Sequence, residues 1–139
     1  VNILLAIALS VLISHTAIAG EASDKQKYVP LFEVDMSHEP GTIAESYMKA
    51  YHSPTRDTAI KQWEAFLAEY VQNEPPTFED ITDQTLLRQA HYELMRLYYL
   101  DGRIAEADKI LKKADDLVVY SVPDSIEARR WCKRHNYCN

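Results

Sequence analysis

The sequence predicts an all-α protein, and three observations carry that expectation. Apolar side chains recur at steps of three and four, most clearly at Ala59, Trp63, Phe66, Leu67 and Tyr70, which is the period of a helix with one buried stripe. Helix-start and helix-stop signals punctuate the chain at regular intervals: Thr42 with Glu45, Ser53-Pro54, Asp83, Asp101-Gly102, and Asp124 with Glu127. Only Val118-Val119-Tyr120 favours a strand by composition, and no second segment reads as its partner, so it is expected to be a frayed helix end.

Composition bounds the rest. With 139 residues, 47% hydrophobic and 26% charged, the chain fits one ordinary globular domain. Three glycines exclude collagen-like and Gly-rich architectures, and no Gly-rich phosphate-cradling loop occurs. A net charge of −6 disfavours nucleic-acid binding, which needs a basic surface.

Residues 2–19 carry no Lys, Arg, Asp or Glu. Their centre, 3–13, has the length of a signal-peptide apolar region, and Ala17-x-Ala19 supplies a cleavage pattern before Gly20. Residues 1–19 are therefore expected to be a signal peptide. The alternatives are a retained anchor, although the stretch is marginal against the roughly 20 residues that a bilayer core requires, and a buried core helix. Membrane association is expected only with a retained anchor. Export to a periplasmic or secreted location, in a bacterial envelope, bears on the two cysteines. In an oxidising compartment Cys132 and Cys138 favour a disulfide. A metal site through Cys132, His135 and Cys138, or free or intermolecular thiols, are the alternatives; three ligands fall short of the four of a closed zinc site.

Residues 20–41 read as an extended arm. Pro30 stops a helix, and Leu31, Phe32 and Val34 form an apolar island able to dock on the domain. The helical domain is expected to span 42–135, followed by a tail at 136–139. A capping box of Thr42 and Glu45 opens a helix to about position 52. Ser53 caps, and Pro54 begins, a second helix to about 72. Pro75-Pro76 marks a loop over 73–82. A third helix over 84–100 follows Asp83, a fourth runs over 104–118 after the Asp101-Gly102 turn, and a fifth runs from Asp124 toward Arg134.

The third and fourth helices carry His91-x-x-Leu94-Met95-x-x-Tyr98, Gly102, then Ala107-x-x-x-Leu111-x-x-Ala114. This run resembles a tetratricopeptide repeat (TPR), with Met95 departing from the small residue usual there. Physically, Ala107 notches a close helix crossing, while Tyr98 and Leu111 fill the space beside it. A weaker copy, Tyr47-Met48-x-x-Tyr51 with Ala59-x-x-x-Trp63, lies upstream. Residues 59–70 also resemble the second helix of repeats in periplasmic envelope proteins. The likeness covers about 42–118 and implies antiparallel hairpins stacked as a short TPR-like solenoid. The fifth helix would cap it with Ile126 and Trp131 facing inward. Another small helical bundle is the alternative, and self-association through an uncapped end stays open because solenoids usually need three repeats.

In such repeats the first helix of each hairpin lines a concave face. The resemblance thus implies partner binding by Gln89, Tyr92, Arg96 and Tyr99, and by Glu45, Lys49 and His52, with Thr42 beside them. Two tyrosines around an arginine is hot-spot composition. No nucleophile elbow, zincin, P-loop or dinucleotide fingerprint occurs, and the acids read as caps, loops and solvent faces. No catalytic residue, metal or cofactor is called for. The basic cluster Arg129, Arg130, Lys133 and Arg134 reads as cations favoured at a helix C-terminus. The expected function is an exported adaptor that binds a protein or peptide, not an enzyme. A small exported inhibitor or immunity protein that neutralises an envelope enzyme is the alternative.

Overall fold

The computed structural model describes residues 26–33, 42–71, 81–117 and 122–139. Five helices make up almost all of that chain: α1 (Thr42–Tyr51), α2 (Arg56–Val71), α3 (Ile81–Leu100), α4 (Ile104–Asp116) and α5 (Val122–Arg134). Among the described residues the only extended pairing is an antiparallel bridge between Lys27 and Thr55. The expected signal segment, Val34, His38, the Pro75-Pro76 loop and residues 118–120 lie outside the described residues.

Local chemistry sets the helix ends, with two shifts from the sequence reading. Thr55, not Ser53, caps α2: its Oγ1 accepts the Thr58 amide at 3.2 Å. Ser53 instead donates its hydroxyl to the Lys49 carbonyl and closes the end of α1. The third helix starts at Ile81, earlier than Asp83 implied. Between α3 and α4, Gly102 takes φ +77°. The Arg103 amide reaches back to the Tyr98 carbonyl at 2.8 Å, and the Gly102 amide to Tyr99 at 3.1 Å. These two bonds form the left-handed helix stop that glycine permits at no steric cost. The same pair of bonds ends α5, from Tyr137 to Cys132 and from Asn136 to Lys133. Here Asn136 takes the left-handed conformation, at φ 59°. That turn brings Cys138 back to Cys132, with which it forms a disulfide across a Cα separation of 5.5 Å.

Side-chain pairs fix the directions of packing. Tyr99 and Tyr92 on α3 donate to Asp108 and Asp115 on α4, so the two helices are antiparallel. Arg88, Arg96 and Tyr99 on α3 meet Asp124, Trp131 and Tyr137 in ascending order, so α5 runs parallel to α3. Tyr98 donates to Glu64 of α2, and Tyr47 of α1 to Gln89. Thus α3 touches all four other helices. It is buried without a break from Leu87 to Tyr99.

The core has an aromatic centre. Tyr47 meets Trp63 edge-on at 4.8 Å and Phe66 at 5.8 Å. Such edge-to-face pairs contribute about 0.5–1.5 kcal/mol beyond their buried area. The alanine notches lie where the sequence put them: Ala59, Ala107 and Ala114 are fully buried. Met95 is fully buried as well. Trp131 faces inward, but Ile126 is 44% exposed, against expectation. Across its thirteen residues α5 offers α3 one narrow strip, centred on Ala128, Trp131 and Cys132, and Ile126 falls outside it.

Candidate functional site

Residues 26–33 lie as an arm across α3, paired with Thr55 at Lys27 and bent at Leu31 and Phe32. Val29 precedes Pro30, and a residue before proline is held extended. The arm's backbone polar groups are satisfied one by one. The Tyr28 amide donates to the Pro54 carbonyl at 3.4 Å. The Val29 carbonyl accepts from Arg96 Nη2. Pro30 has no amide to satisfy. The amides of Leu31 and Phe32 both donate to Glu93 Oε1, the latter at 3.2 Å. The other Glu93 oxygen accepts from Arg96 Nη2 at 2.8 Å.

Glu93 and Arg96 therefore act as a unit. They sit one helical turn apart on α3, with side chains 1% and 11% exposed. An ion pair this deep is costly unless its remaining hydrogen-bonding capacity is filled. The arm fills most of it, giving two amides to the carboxylate and one carbonyl to the guanidinium, while the buried Arg96 Nε has no hydrogen-bond partner among the described residues. The guanidinium carbon lies over two aromatic rings, 5.7 Å from the centroid of Tyr28 and 6.0 Å from that of Trp131, which makes two cation–π contacts.

Two side chains anchor the arm. The Tyr28 hydroxyl accepts from the Trp63 indole at 3.0 Å, and burial first, then the nearby Glu93 charge, pushes its phenol pKa far up. The Phe32 ring packs on Tyr92 at 6.3 Å. Leu31 packs partly buried against the core, as the sequence implied, while Val29 points outward, 61% exposed. Lys27 and Glu33 are exposed too. Beside the arm, Lys27, Tyr28, Val29, Arg56, Arg96, Leu97 and Leu100 line a cavity of about 230 Å³.

The sequence-derived partner residues separate into two groups. Gln89, Tyr92, Arg96 and Tyr99 do come together along α3, but none is open to solvent. Gln89 bonds Tyr47 and Asp124, and Tyr92 bonds Asp115 beneath Phe32. Arg96 holds the arm, and Tyr99 is stacked by Tyr137 at 4.8 Å. The picture of an open concave face is corrected here: the chain's own arm and tail cover it. Glu45, Lys49 and His52 are exposed. At about 100° per residue they point away from Tyr47, the side chain through which α1 meets Gln89. The structure does not join them to the α3 group. The side chain of Thr42 lies outside the described residues.

Sequence reasoning missed Glu93. Assigning acids to caps, loops and solvent faces was wrong for this one, which is fully buried. The sequence signal pointed the other way: Gln89, Glu93 and Arg96 recur at i, i+4 and i+7, a polar stripe that reads as a solvent face. Trp63 was read as core, and its indole also serves the arm through Tyr28. The basic cluster on α5 is largely engaged: Arg129 pairs with Asp115, and both Arg130 and Arg134 pair with Glu127. Among the described residues no group of three or more His, Cys, Asp or Glu is placed to hold a metal. No helix among them is long and apolar enough to cross a membrane. No family model, curated protein or solved structure matches the chain.

Proposed function

We propose that this chain is a docking module, a TPR-like helical scaffold that holds a protein or peptide segment against α3 and is not an enzyme. The observation that carries the reading is the Glu93–Arg96 pair, which grips the backbone of the arm at its bend, with Arg96 also meeting the Tyr28 ring. Main-chain hydrogen bonds combined with pockets for alternate side chains are a general way of holding a peptide. The packing order supports the repeat reading, with α3 and α4 antiparallel and α5 parallel to α3. The disulfide favours an oxidising compartment, in keeping with a periplasmic or secreted protein.

Placing a photo-reactive side chain at Arg56, in the cavity wall beside the arm, tests this in the host cell. Lys112, on the outer side of α4, and Lys49, on α1, serve as controls; both are exposed. A discrete adduct from position 56 and none from 112 is expected. Adducts only from 49 would move the docking face to α1, and equal labelling from all three would contradict a docking face at α3.

A further inference from the structure

We propose that the arm is a built-in competitor for the α3 groove, and that the ligand replacing it is a peptide with two aromatic anchors four residues apart and a bend before the second. This rests on the docking reading above and gives it a ligand class and a means of control.

The bound arm itself defines what the groove accepts. It takes one ring at the Tyr28 position, where the Trp63 indole offers a hydrogen bond and Arg96 a cation. It takes a carbonyl one residue on, at Arg96, and two consecutive amides at Glu93. It takes a second ring at the Phe32 position, on Tyr92. The residues between the rings matter less, since Val29 is mostly exposed. Any segment with this spacing that bends before its second ring presents the same groups, because the backbone contributes four of the contacts.

The arm is attached as a ligand would be. Beyond its two anchors, it is held by side chains of α3, by the pairing of Lys27 and Tyr28 with Thr55 and Pro54, and by part-buried Leu31. Its departure breaks no helix. Its advantage over an external peptide is tethering, because only eight positions, 34–41, separate it from α1. A short tether gives an effective concentration on the order of millimolar. An external peptide of equal intrinsic affinity therefore competes poorly until the arm is weakened or removed.

The test uses the full chain and a synthetic peptide of residues 26–33 carrying a fluorophore. In the double variant Tyr28→Ala with Phe32→Ala, the peptide is expected to bind at least tenfold more tightly than to the unaltered chain. Adding Glu93→Gln to that variant is expected to weaken binding about tenfold, and replacing both aromatics in the peptide should abolish it. If the double variant does not fold, the unaltered chain is titrated with peptide to millimolar concentrations. Loss of amide protection at Leu31 and Phe32, with α3 still protected, then supports displacement. A folded double variant that does not bind the peptide overturns the proposal, as does unchanged protection at millimolar peptide. So does an unaltered chain found as a dimer exchanging arms, since the occupant would then be a second copy. An adduct at position 56 without peptide binding removes only the ligand class, whereas failure of both removes the docking reading too.

Discussion

The two helices of the α3–α4 hairpin share one turn and have opposite environments. From Leu87 to Tyr99 every residue of α3 is buried, polar ones included. On α4 only Ala107 and Ala114 are buried. A helix with neighbours on every side must find a partner for each polar side chain, because an unmet buried group costs about 1–3 kcal/mol. α3 does so for most of them, partly within itself and partly through other elements: Arg88 Nη2 with Asp124, His91 with the Leu87 carbonyl of its own helix, and Glu93 with Arg96 and the arm; the buried Nε atoms of Arg88 and Arg96 have no hydrogen-bond partner among the described residues. Its partner leaves Lys109, Lys112 and Lys113 in water and meets the core through two buried alanines with part-buried Ile110 and Leu111 beside them. The difference teaches that in this hairpin polarity alone does not mark the solvent side. What marks it is whether another element passes over that face.

The sharpest way to break the contrast is Glu93→Ala. It leaves Arg96 and the amides of Leu31 and Phe32 without their acceptor, and breaking a buried pair this way costs about 3–5 kcal/mol. Urea unfolding should show a loss of that size, whereas Glu106→Ala on exposed α4 should stay within about 0.5 kcal/mol. Next comes the notch. Ala107→Leu forces a larger side chain into a closed crossing and should cost about 1–3 kcal/mol. Ala105→Leu, exposed on the same helix, should be close to neutral by the same measurement. At the turn, a Cβ on Gly102 would meet nothing within 4 Å. Gly102→Ala therefore isolates the backbone penalty of a left-handed residue, roughly 1–2 kcal/mol, readable as a lowered Tm.

The smallest effect concerns pH. Burial, chiefly, holds the His91 imidazole below its ordinary pKa, with the Lys113 charge acting in the same direction and the Leu87 carbonyl opposing it. The folded state thus binds a proton less readily than the unfolded chain. The stability tied to His91 is present above a pH of about 6.5 and falls as acid protonates the unfolded form first. His91→Gln should flatten the loss in urea midpoint between pH values of about 7.5 and 5.5.

The helices themselves were legible because caps, turns and the three–four stripe act locally. Gly102 had to end α3, and Ala59, Trp63, Phe66 and Leu67 had to face inward. The surroundings of α3 were less so. Nothing local states that residues sixty positions upstream give their amides to Glu93. Pro30 and the apolar Leu31-Phe32 pair announced an arm that docks, but not the helix it would cross. The α3 residues implied by the repeat resemblance do share one helix, yet the resemblance alone did not reveal that this chain covers them itself. Ile126 misled because apolar character on a short helix does not specify which side its neighbours occupy.

Native-state amide hydrogen exchange tests most directly whether the arm is a ligand or simply part of the core. Leu31 and Phe32 should exchange through a local opening, markedly faster than Leu94 and Leu97 of α3, and faster again in Glu93→Gln. Exchange of the arm amides at the same free energy as those α3 amides would mean that the arm leaves only when the whole protein unfolds, contradicting a displaceable segment.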